Sequence, residues 1–255
     1  MSSDTLSVAA LPVDIAFGCV EANLEAARRA ATDAAADLLV LPELFSTGYT
    51  TDPAVMHALA AEAAAPSLKT ARDIAADTGR AVAGSFASAD HTNRAFMVLP
   101  DGSATFYDKH HLFTPGREQR VFRAGSGPVP VAEFRGWRVA LSVCYDLRFP
   151  AWMRNRNYAY DIILLPANWP QARAYALKHL LIARAIENQA PIVCANRGGS
   201  DPYGTYDGCC YAFDHLGRPA FADGTLTATF SLDAIRRART SHPFALDADD
   251  WTWRT

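Results

Sequence analysis

The sequence lacks any apolar run of the roughly 18 residues that a transmembrane helix needs. It also lacks an excess of positive charge, because 24 Lys and Arg stand against 27 Asp and Glu, for a formal net charge of −3. Nucleic acids and anionic membranes attract basic surfaces. We therefore expect neither as a partner. We also expect no secretion signal, because the apolar stretch at residues 6–16 is broken by Pro12 and Asp14.

Cysteine is scarce and is not arranged as a disulfide framework. There are five cysteines, two of them adjacent, and no C-x-x-C spacing of the kind that binds structural zinc. This pattern favours free thiols in a reducing compartment, so we predict a cytoplasmic protein. Most free cysteines are small buried hydrophobic residues, and this is the default interpretation for Cys19, Cys144, Cys194, Cys209 and Cys210.

What is present is the balance of a globular protein with a sizeable core, since 50% of the residues are hydrophobic and 20% are charged. Strand-like and helix-like segments alternate at both ends, and hairpins are predicted in the middle. This pattern indicates an α/β fold with a mixed sheet, or two packed sheets with helices outside, in one domain over residues 1–255. The predicted strands cover residues 6–11, 38–41, 81–87, 94–99, 104–107, 129–134, 137–143, 162–165, 192–195, 211–213 and 226–231. The predicted helices cover residues 21–36, 53–78 with a break at Pro66, 150–157 and 173–188.

The last fifteen residues, 241–255, are rich in large apolar side chains. They include Phe244, Leu246, Trp251 and Trp253. An end this apolar is not expected to remain in solvent. We predict that it packs on its own subunit or at a subunit interface.

One apolar segment ends at Cys144, within the sequence VCYDLRFP. A helix is expected shortly afterwards, so the thiol stands at a strand-to-helix turn, at the carboxyl edge of a sheet. The helix N-terminus favours the thiolate, and the backbone N–H of Tyr145 can point at an oxyanion. Cys144 is therefore a candidate nucleophile. The alternative is a buried cysteine at the end of a strand.

Glu43 directly follows a continuous apolar run and Pro42. Glutamate is rarely buried without a partner, and partial burial raises the pKa of a carboxyl towards the range suited to proton transfer at neutral pH. Glu43 is therefore a candidate general base. The alternative is an exposed glutamate that merely follows a strand.

Lys109 lies within YDKHHLF, shortly after the strand predicted at residues 104–107. An ammonium group here would pair with Glu43, lower the pKa of the thiol or stabilise an oxyanion; the alternative is a solvated lysine. The neighbouring His110 and His111 do not indicate a metal site. Adjacent residues in a strand point to opposite faces, and no third ligand accompanies them.

Taken together and in this order, LPELFSTGY, YDKHHLF and VCYDLRFP resemble the three signatures of the nitrilase superfamily of carbon–nitrogen hydrolases. The resemblance continues through ANWP, RAIENQ and NR at residues 167–170, 184–189 and 196–197, and so covers nearly the whole chain. It implies a four-layer αββα sandwich, usually paired into a homodimer or larger homo-oligomer across its outer helices. One departure is local: Pro12 and Val13 precede Asp14, where the family often has Gln.

The resemblance implies a Glu–Lys–Cys triad. In it Cys144 is the nucleophile, Glu43 the general base and acid, and Lys109 an oxyanion stabiliser beside the Tyr145 backbone N–H. The family often carries a second glutamate near the site, and Glu118 occupies that stretch; a charged loop residue is the alternative. The side chains that the resemblance implies as pocket walls, each also explicable by packing alone, are Phe45, Tyr49, Asn168 and Trp169.

Within the superfamily, CYDLRFP, ANWP and RAIENQ resemble the ω-amidase branch. Its members hydrolyse the terminal amide of α-keto acid monoamides such as α-ketoglutaramate and α-ketosuccinamate. Nitrilases usually carry Trp-Glu after the cysteine, where this sequence has Tyr145 and Asp146, which argues against nitriles. The reaction would pass through a cysteine thioester, with no metal or organic cofactor. A keto acid brings a carboxylate, and the candidate cations for it are Arg148, Arg173 and Arg197.

Three alternatives stay open. A carbamoylase or another small-amide hydrolase of the same superfamily would differ only in its pocket. A non-catalytic binding protein on the same fold would be marked by loss of a triad residue, and all three are present. A papain-like thiol protease would need a histidine near Cys144, for which the candidates are His110, His111 and His179.

Overall fold

The structure is a computed structural model, and it describes residues 4–249. Strands and helices alternate at both ends of the chain, as the apolar pattern predicts. The strands are β1 (Thr5–Ala10), β2 (Leu38–Val40), β3 (Ala81–Ala87), β4 (Asn93–Val98), β5 (Ala104–Asp108), β6 (Val131–Phe134), β7 (Trp137–Leu141), β8 (Ile162–Ala167), β9 (Ile192–Asn196), β10 (Gly198–Asp201), β11 (Gly204–Asp207), β12 (Tyr211–Phe213) and β13 (Thr227–Ser231). The helices are α1 (Val20–Asp33), α2 (Pro53–Thr78), α3 (Ala174–Asn188) and α4 (Leu232–Ser241).

The strands form two large mixed sheets and one small hairpin. The first sheet has the order β13-β1-β2-β3-β4-β5, the second has the order β12-β9-β8-β7-β6, and β10 pairs with β11. β1, β2 and β3 are parallel, as are β7, β8 and β9. Parallel neighbours need a long crossover, usually a helix. α1, α2 and α3 supply three of these crossovers.

The two sheets pack face to face, with helices on both outer surfaces. Alternate residues of the first sheet, such as Val8 and Val40, join residues of the second sheet in the central core. The residues between them, such as Leu39 and Val82, face α1 and α2. On the far side, α3 packs against β9 and β12 of the second sheet, and Leu232 and Ile235 of α4 join the same core. The predicted four-layer αββα sandwich is therefore confirmed.

Two predictions about helices are wrong. α2 continues through Pro66 without a break, because its inner face is buried along the whole helix and the Ser67 hydroxyl bonds the Ala63 carbonyl (2.6 Å). The helix predicted at 150–157 is absent, and only a 3-10 turn forms at Arg156–Tyr158. Asn157 and Tyr158 both have left-handed backbones, which no α-helix contains.

Other elements of the described chain were not predicted. A five-residue 3-10 helix, Cys144–Arg148, begins at the cysteine itself. The β10–β11 hairpin and α4 also lie outside the predicted elements, although Ser231 caps α4 by accepting from the Ala234 N–H. No helix within residues 4–249 is long and apolar enough to cross a membrane.

The apolar C-terminal segment is only partly described. Phe244 and Leu246 lie in a 3-10 turn, Phe244–Asp247, and are 52% and 81% exposed. Trp251 and Trp253 lie outside the described residues. The packing predicted for residues 241–255 therefore stays a prediction.

Candidate active site

The three proposed triad residues each follow the carboxyl end of a strand. Glu43 comes after β2, Lys109 directly after β5, and Cys144 after β7. Polar groups at such positions escape the sheet core and meet at one edge of an α/β sandwich. The structure brings all three together there, although they are far apart in sequence.

The centre of the site is a buried ammonium group between two carboxylates. Lys109 Nζ lies 2.8 Å from Glu43 Oε1 and 2.9 Å from both carboxylate oxygens of Glu118. All three residues are at most 3% exposed. The structure thus places Glu118 beside Lys109 and buries its side chain, although it comes from a short turn between strands.

Several donors hold the two carboxylates in place. Asn93 Nδ2 donates to Glu43 Oε1 (2.7 Å) and to Glu118 Oε1 (3.2 Å). The backbone N–H of Asn168 donates to Glu43 Oε2 (2.9 Å), and that of Phe113 donates to Glu118 Oε2 (2.6 Å). The sequence interpretation missed Asn93. Its only signal is a polar residue at the start of a mostly apolar strand.

The electrostatics keep Lys109 charged. Burial by itself lowers the pKa of Lys109, but the charges of Glu118 and Glu43 outweigh it and hold that pKa well above its usual value. Burial raises the pKa of Glu118, and the charge of Lys109 only partly opposes this effect. A permanent cation therefore lies at the base of the site.

Cys144 is a thiol in the resting protein. Burial and the charge of Glu43 raise the pKa of Cys144 well above its usual value, although Lys109 and the Asn168 backbone N–H favour the thiolate. The expectation that a helix N-terminus would favour the thiolate is therefore outweighed. Glu43 and Cys144 line the same cavity, and the Glu43 carboxylate is the charge that acts most strongly on the thiol, so a base that could take its proton is close by. Cys144 itself has a left-handed backbone, with φ of 41°.

A cavity of about 430 Å³ opens over these groups. This volume suits a small molecule. Tyr145, Tyr49, Asn168 and Trp169 are among its lining residues, so the structure places four of the five predicted pocket residues there. Phe45 is not among them. It is fully buried and packs against Phe96, so it belongs to the core beneath the site.

The structure separates the three candidate arginines. Arg148 and Arg173 line the cavity. Their guanidinium carbons lie 5.0 Å (Arg148) and 6.0 Å (Arg173) from the centroid of the Trp169 ring. Arg197 does not line it, because it is buried and pairs with Asp201 (2.7 Å). Lining residues that the sequence interpretation did not select are Leu44, Thr51, Phe113, Pro115, Gly116, Arg117, Pro170, Tyr203 and Tyr206.

The three histidines considered for a thiol protease lie away from the cavity. In the described part of the chain, none of His110, His111 and His179 lines the cavity. His110 stacks on Trp152, and His179 is exposed on α3. Residues 4–249 contain no group of three or more His, Cys, Asp or Glu side chains placed to hold a metal ion.

Comparisons with known proteins agree with this geometry. The family model described as carbon-nitrogen hydrolase matches residues 18–240. The omega-amidase YafV of Escherichia coli (strain K12) is 39% identical over 236 residues, which are 84% of this chain and 85% of that protein. The 2-oxoglutaramate amidase of Bacillus subtilis (strain 168) is 32% identical over 249 residues, 93% of this chain and 95% of that protein. Among solved structures, a CN-hydrolase superfamily protein from Xanthomonas campestris with an arsenic adduct in its active site is 32% identical. It has a TM-score of 0.89 and covers 98% of this chain and 99% of its own.

Proposed function

The chain belongs to the carbon–nitrogen hydrolase family, and on that premise we propose that it is an ω-amidase. Its substrates are α-keto acid monoamides such as α-ketoglutaramate and α-ketosuccinamate, and its products are the dicarboxylic keto acid and ammonia. The observation that carries the proposal is a small cavity lined by a protonated thiol, a carboxylate and the buried ammonium group that pairs with that carboxylate. The relatives named omega-amidase and 2-oxoglutaramate amidase support this substrate class.

The first half of the reaction makes a thioester. Glu43 takes the thiol proton, and the Cys144 sulfur attacks the amide carbonyl carbon. Lys109 and the Tyr145 backbone N–H hold the resulting oxyanion; an N–H in the first turn of a helix has no intrahelical acceptor and is free for this task. Glu43 then gives its proton to the leaving nitrogen, the carbon–nitrogen bond breaks, and ammonia departs.

The second half releases the acid. Glu43 takes a proton from water, and the hydroxide formed attacks the thioester carbonyl at the same oxyanion position. The carbon–sulfur bond then breaks, and the Cys144 sulfur recovers its proton from Glu43. Glu118 stays in contact with Lys109 Nζ through both carboxylate oxygens, which fixes the ammonium group for both halves.

We assign the substrate carboxylate to Arg148 and Arg173. Both line the cavity, and within residues 4–249 neither forms an ion pair with a carboxylate of the protein. Their guanidinium carbons lie over the Trp169 ring and, for Arg173, also over the Phe113 ring at 4.7 Å. Aromatic support of this kind leaves the N–H groups free for bidentate contact with an anion.

The central experiment measures ammonia release by the wild type and by Cys144→Ala. The panel contains both keto-amides, glutamine, asparagine, a carbamoyl amino acid and a nitrile. Keto-amide turnover that disappears in Cys144→Ala supports the whole proposal. Turnover of the carbamoyl compound or of another amide, still dependent on Cys144, would keep the mechanism and overturn the substrate class. Undiminished activity in Cys144→Ala would overturn the mechanism.

A second experiment tests the carboxylate site. Arg148→Gln and Arg173→Gln should each raise KM for the keto-amides at least about tenfold, because a charged hydrogen bond contributes about 1.5–3 kcal/mol. A neutral aliphatic amide without a carboxylate serves as the control substrate, and its KM should stay unchanged. An equal loss on both substrates would show that the arginines support the cavity rather than bind an anion.

We also propose that the enzyme is a cytoplasmic homo-oligomer. Its five cysteines are free, which suits a reducing compartment. Phe244 and Leu246 are exposed in the single chain, as expected of apolar side chains that meet a second subunit. Light scattering on the purified protein gives the mass in solution. A monomer at micromolar concentration would contradict the oligomer.

A further inference from the structure

We propose that Asp146 is a positioning residue that holds Cys144 and Lys109 in their working geometry. The inference rests on the roles proposed above for those two residues. Asp146 lies two residues after Cys144, is 0% exposed, and does not line the cavity. It touches neither the thiol nor the substrate space, so any effect on turnover must pass through the residues that it binds.

On the cysteine side, Asp146 closes the turn that carries the thiol. Its Oδ2 accepts from the backbone N–H of Val143 (3.2 Å), and its own N–H donates to the Val143 carbonyl (2.9 Å). These two bonds enclose Cys144 and Tyr145 in one tight loop. The left-handed backbone of Cys144 is unfavourable for any residue with a side chain, so it needs such closure to persist.

On the lysine side, Asp146 binds both flanks of Lys109. The Tyr107 hydroxyl donates to Oδ2 (2.9 Å), and the His111 backbone N–H and Nδ1 lie 3.0 and 2.9 Å from Oδ1. Tyr107 and His111 stand two residues before and two residues after Lys109. A single carboxylate therefore ties the segment that carries the ammonium group to the turn that carries the thiol.

The groups that face Asp146 are donors, so both of its carboxylate oxygens must accept hydrogen bonds. The Tyr107 hydroxyl already accepts from the Trp152 indole N–H (2.8 Å) and from the His110 N–H (3.2 Å), so its own hydrogen points to Asp146. Each oxygen of Asp146 also faces one backbone N–H, which can only donate. Asn has nearly the same shape as Asp, but its NH₂ group would meet donors whichever way it turned. A residue that only filled space would tolerate that change.

The experiment uses Asp146→Asn and the milder Tyr107→Phe. For Asp146→Asn we expect kcat to fall about 100-fold, with KM changed less than about threefold, because misplaced reacting groups cost rate rather than binding. For Tyr107→Phe, which removes one of the hydrogen bonds, we expect a fall of about tenfold in kcat. In both variants iodoacetamide should alkylate Cys144 more slowly than in the wild type.

Tyr160→Phe is the matched control. Tyr160 is also a buried tyrosine, but its hydroxyl donates to the Met153 carbonyl and contacts no residue of the site. It should keep wild-type kcat and alkylation rate at a similar thermal stability to Tyr107→Phe. Equal losses of kcat in Tyr107→Phe and Tyr160→Phe, or wild-type kcat and alkylation in Asp146→Asn, would overturn the inference. If Asp146→Asn fails to fold, the two tyrosine variants decide.

Alkylation separates this inference from the proposed function, because it needs no substrate. Slow alkylation of Cys144 in Tyr107→Phe supports the positioning role even if no keto-amide is hydrolysed. If the ω-amidase proposal is wrong, the wild type will not hydrolyse the keto-amides. The positioning role is refuted only by wild-type alkylation and kcat in Asp146→Asn, or by equal losses in Tyr107→Phe and Tyr160→Phe.

Discussion

Replacing Glu43 with Gln should make the Cys144 thiol more reactive while it abolishes turnover. After burial, the negative charge of Glu43 is the largest cause of the raised pKa of Cys144, and Lys109 opposes it. The Glu43→Gln substitution removes that charge. Lys109 stays protonated because Glu118 remains bonded to it. The thiolate therefore becomes easier to form, although the residue that delivers protons during the reaction is lost.

The size of the effect follows from the interaction between the two charges. Two unit charges about 4 Å apart interact by about 4 kcal/mol at an effective dielectric constant of about 20. Glu43 and Cys144 line the same cavity, and the Glu43 charge acts on the thiol more strongly than any other, so we take a separation of this order. Even a third of that energy, about 1.4 kcal/mol, changes the thiolate population tenfold. We therefore expect alkylation at pH 8 to be at least about tenfold faster in Glu43→Gln.

The assay follows iodoacetamide alkylation of Cys144 from about pH 6 to 10, by mass spectrometry of the peptide that contains it. Cys19 is exposed and provides an internal reference whose rate should not change. Glu118→Gln is the matched control, because it removes a buried carboxylate that binds the same ammonium group without contacting the thiol. Ammonia release is measured in parallel and should be lost in Glu43→Gln. Slower or unchanged alkylation of Cys144 in Glu43→Gln would refute the electrostatic reasoning.

Three further changes test other parts of the structure. Glu118→Gln should lower kcat about 10- to 100-fold in the ammonia assay with little change in KM, because a hydrogen bond to a charged group contributes about 1.5–3 kcal/mol. Burial alone raises the pKa of Asp161, but the side-chain bond from Arg138 lowers it below its usual value. The ionised Asp161 therefore stabilises the folded protein fully above its unfolded-state pKa of about 4, and this stabilisation is lost as the pH falls through the lower folded-state pKa. In urea unfolding, Asp161→Asn should therefore destabilise the protein more at pH 7 than at about pH 3. Gly125→Ala would place a Cβ 2.0 Å from the Asp108 carbonyl oxygen, next to Lys109, and should lower both kcat and the free energy of unfolding, the latter by about 1–3 kcal/mol.

Each of these predictions has a contrary outcome. Wild-type kcat in Glu118→Gln would mean that Lys109 needs only one carboxylate. Equal destabilisation by Asp161→Asn at both pH values would contradict the lowered pKa. For the glycine, Gly127→Ala is the matched control, since its Cβ meets no atom within 4 Å. Equal effects of Gly125→Ala and Gly127→Ala would contradict the proposed clash.

The meeting of Glu43, Lys109 and Cys144 was predicted from the resemblance of three motifs to the nitrilase signatures, and Glu43 and Cys144 also stand at the ends of apolar runs. Such runs form buried strands, and a polar residue at the end of one emerges at the sheet edge. The role of Asn93 left no comparable trace. An asparagine at the start of a strand is common, and only the three-dimensional contacts show that it bonds both carboxylates.

The failures also have local physical causes. The pattern at residues 150–157 has helical composition, but two left-handed residues, Asn157 and Tyr158, divert the chain. Such a backbone depends on tertiary contacts rather than on local propensity. Phe45 was assigned to the pocket by the family resemblance. The chain turns at Leu44, whose φ is 51°, and Phe45 enters the core instead.

During synthesis, the edge of the first sheet stays open for most of the time that the ribosome needs to make the chain. β1 pairs with β13, and the Ser231 hydroxyl bonds Asp4 across 227 positions of sequence. At about 5–20 residues per second, roughly 10–50 s pass between the two strands. β1 can pair with β2 in that interval, but its other edge presents free N–H and C=O groups, which are a template for aggregation. We therefore expect the yield of folded protein to depend on translation speed and chaperone supply more than on the stability of the finished sandwich.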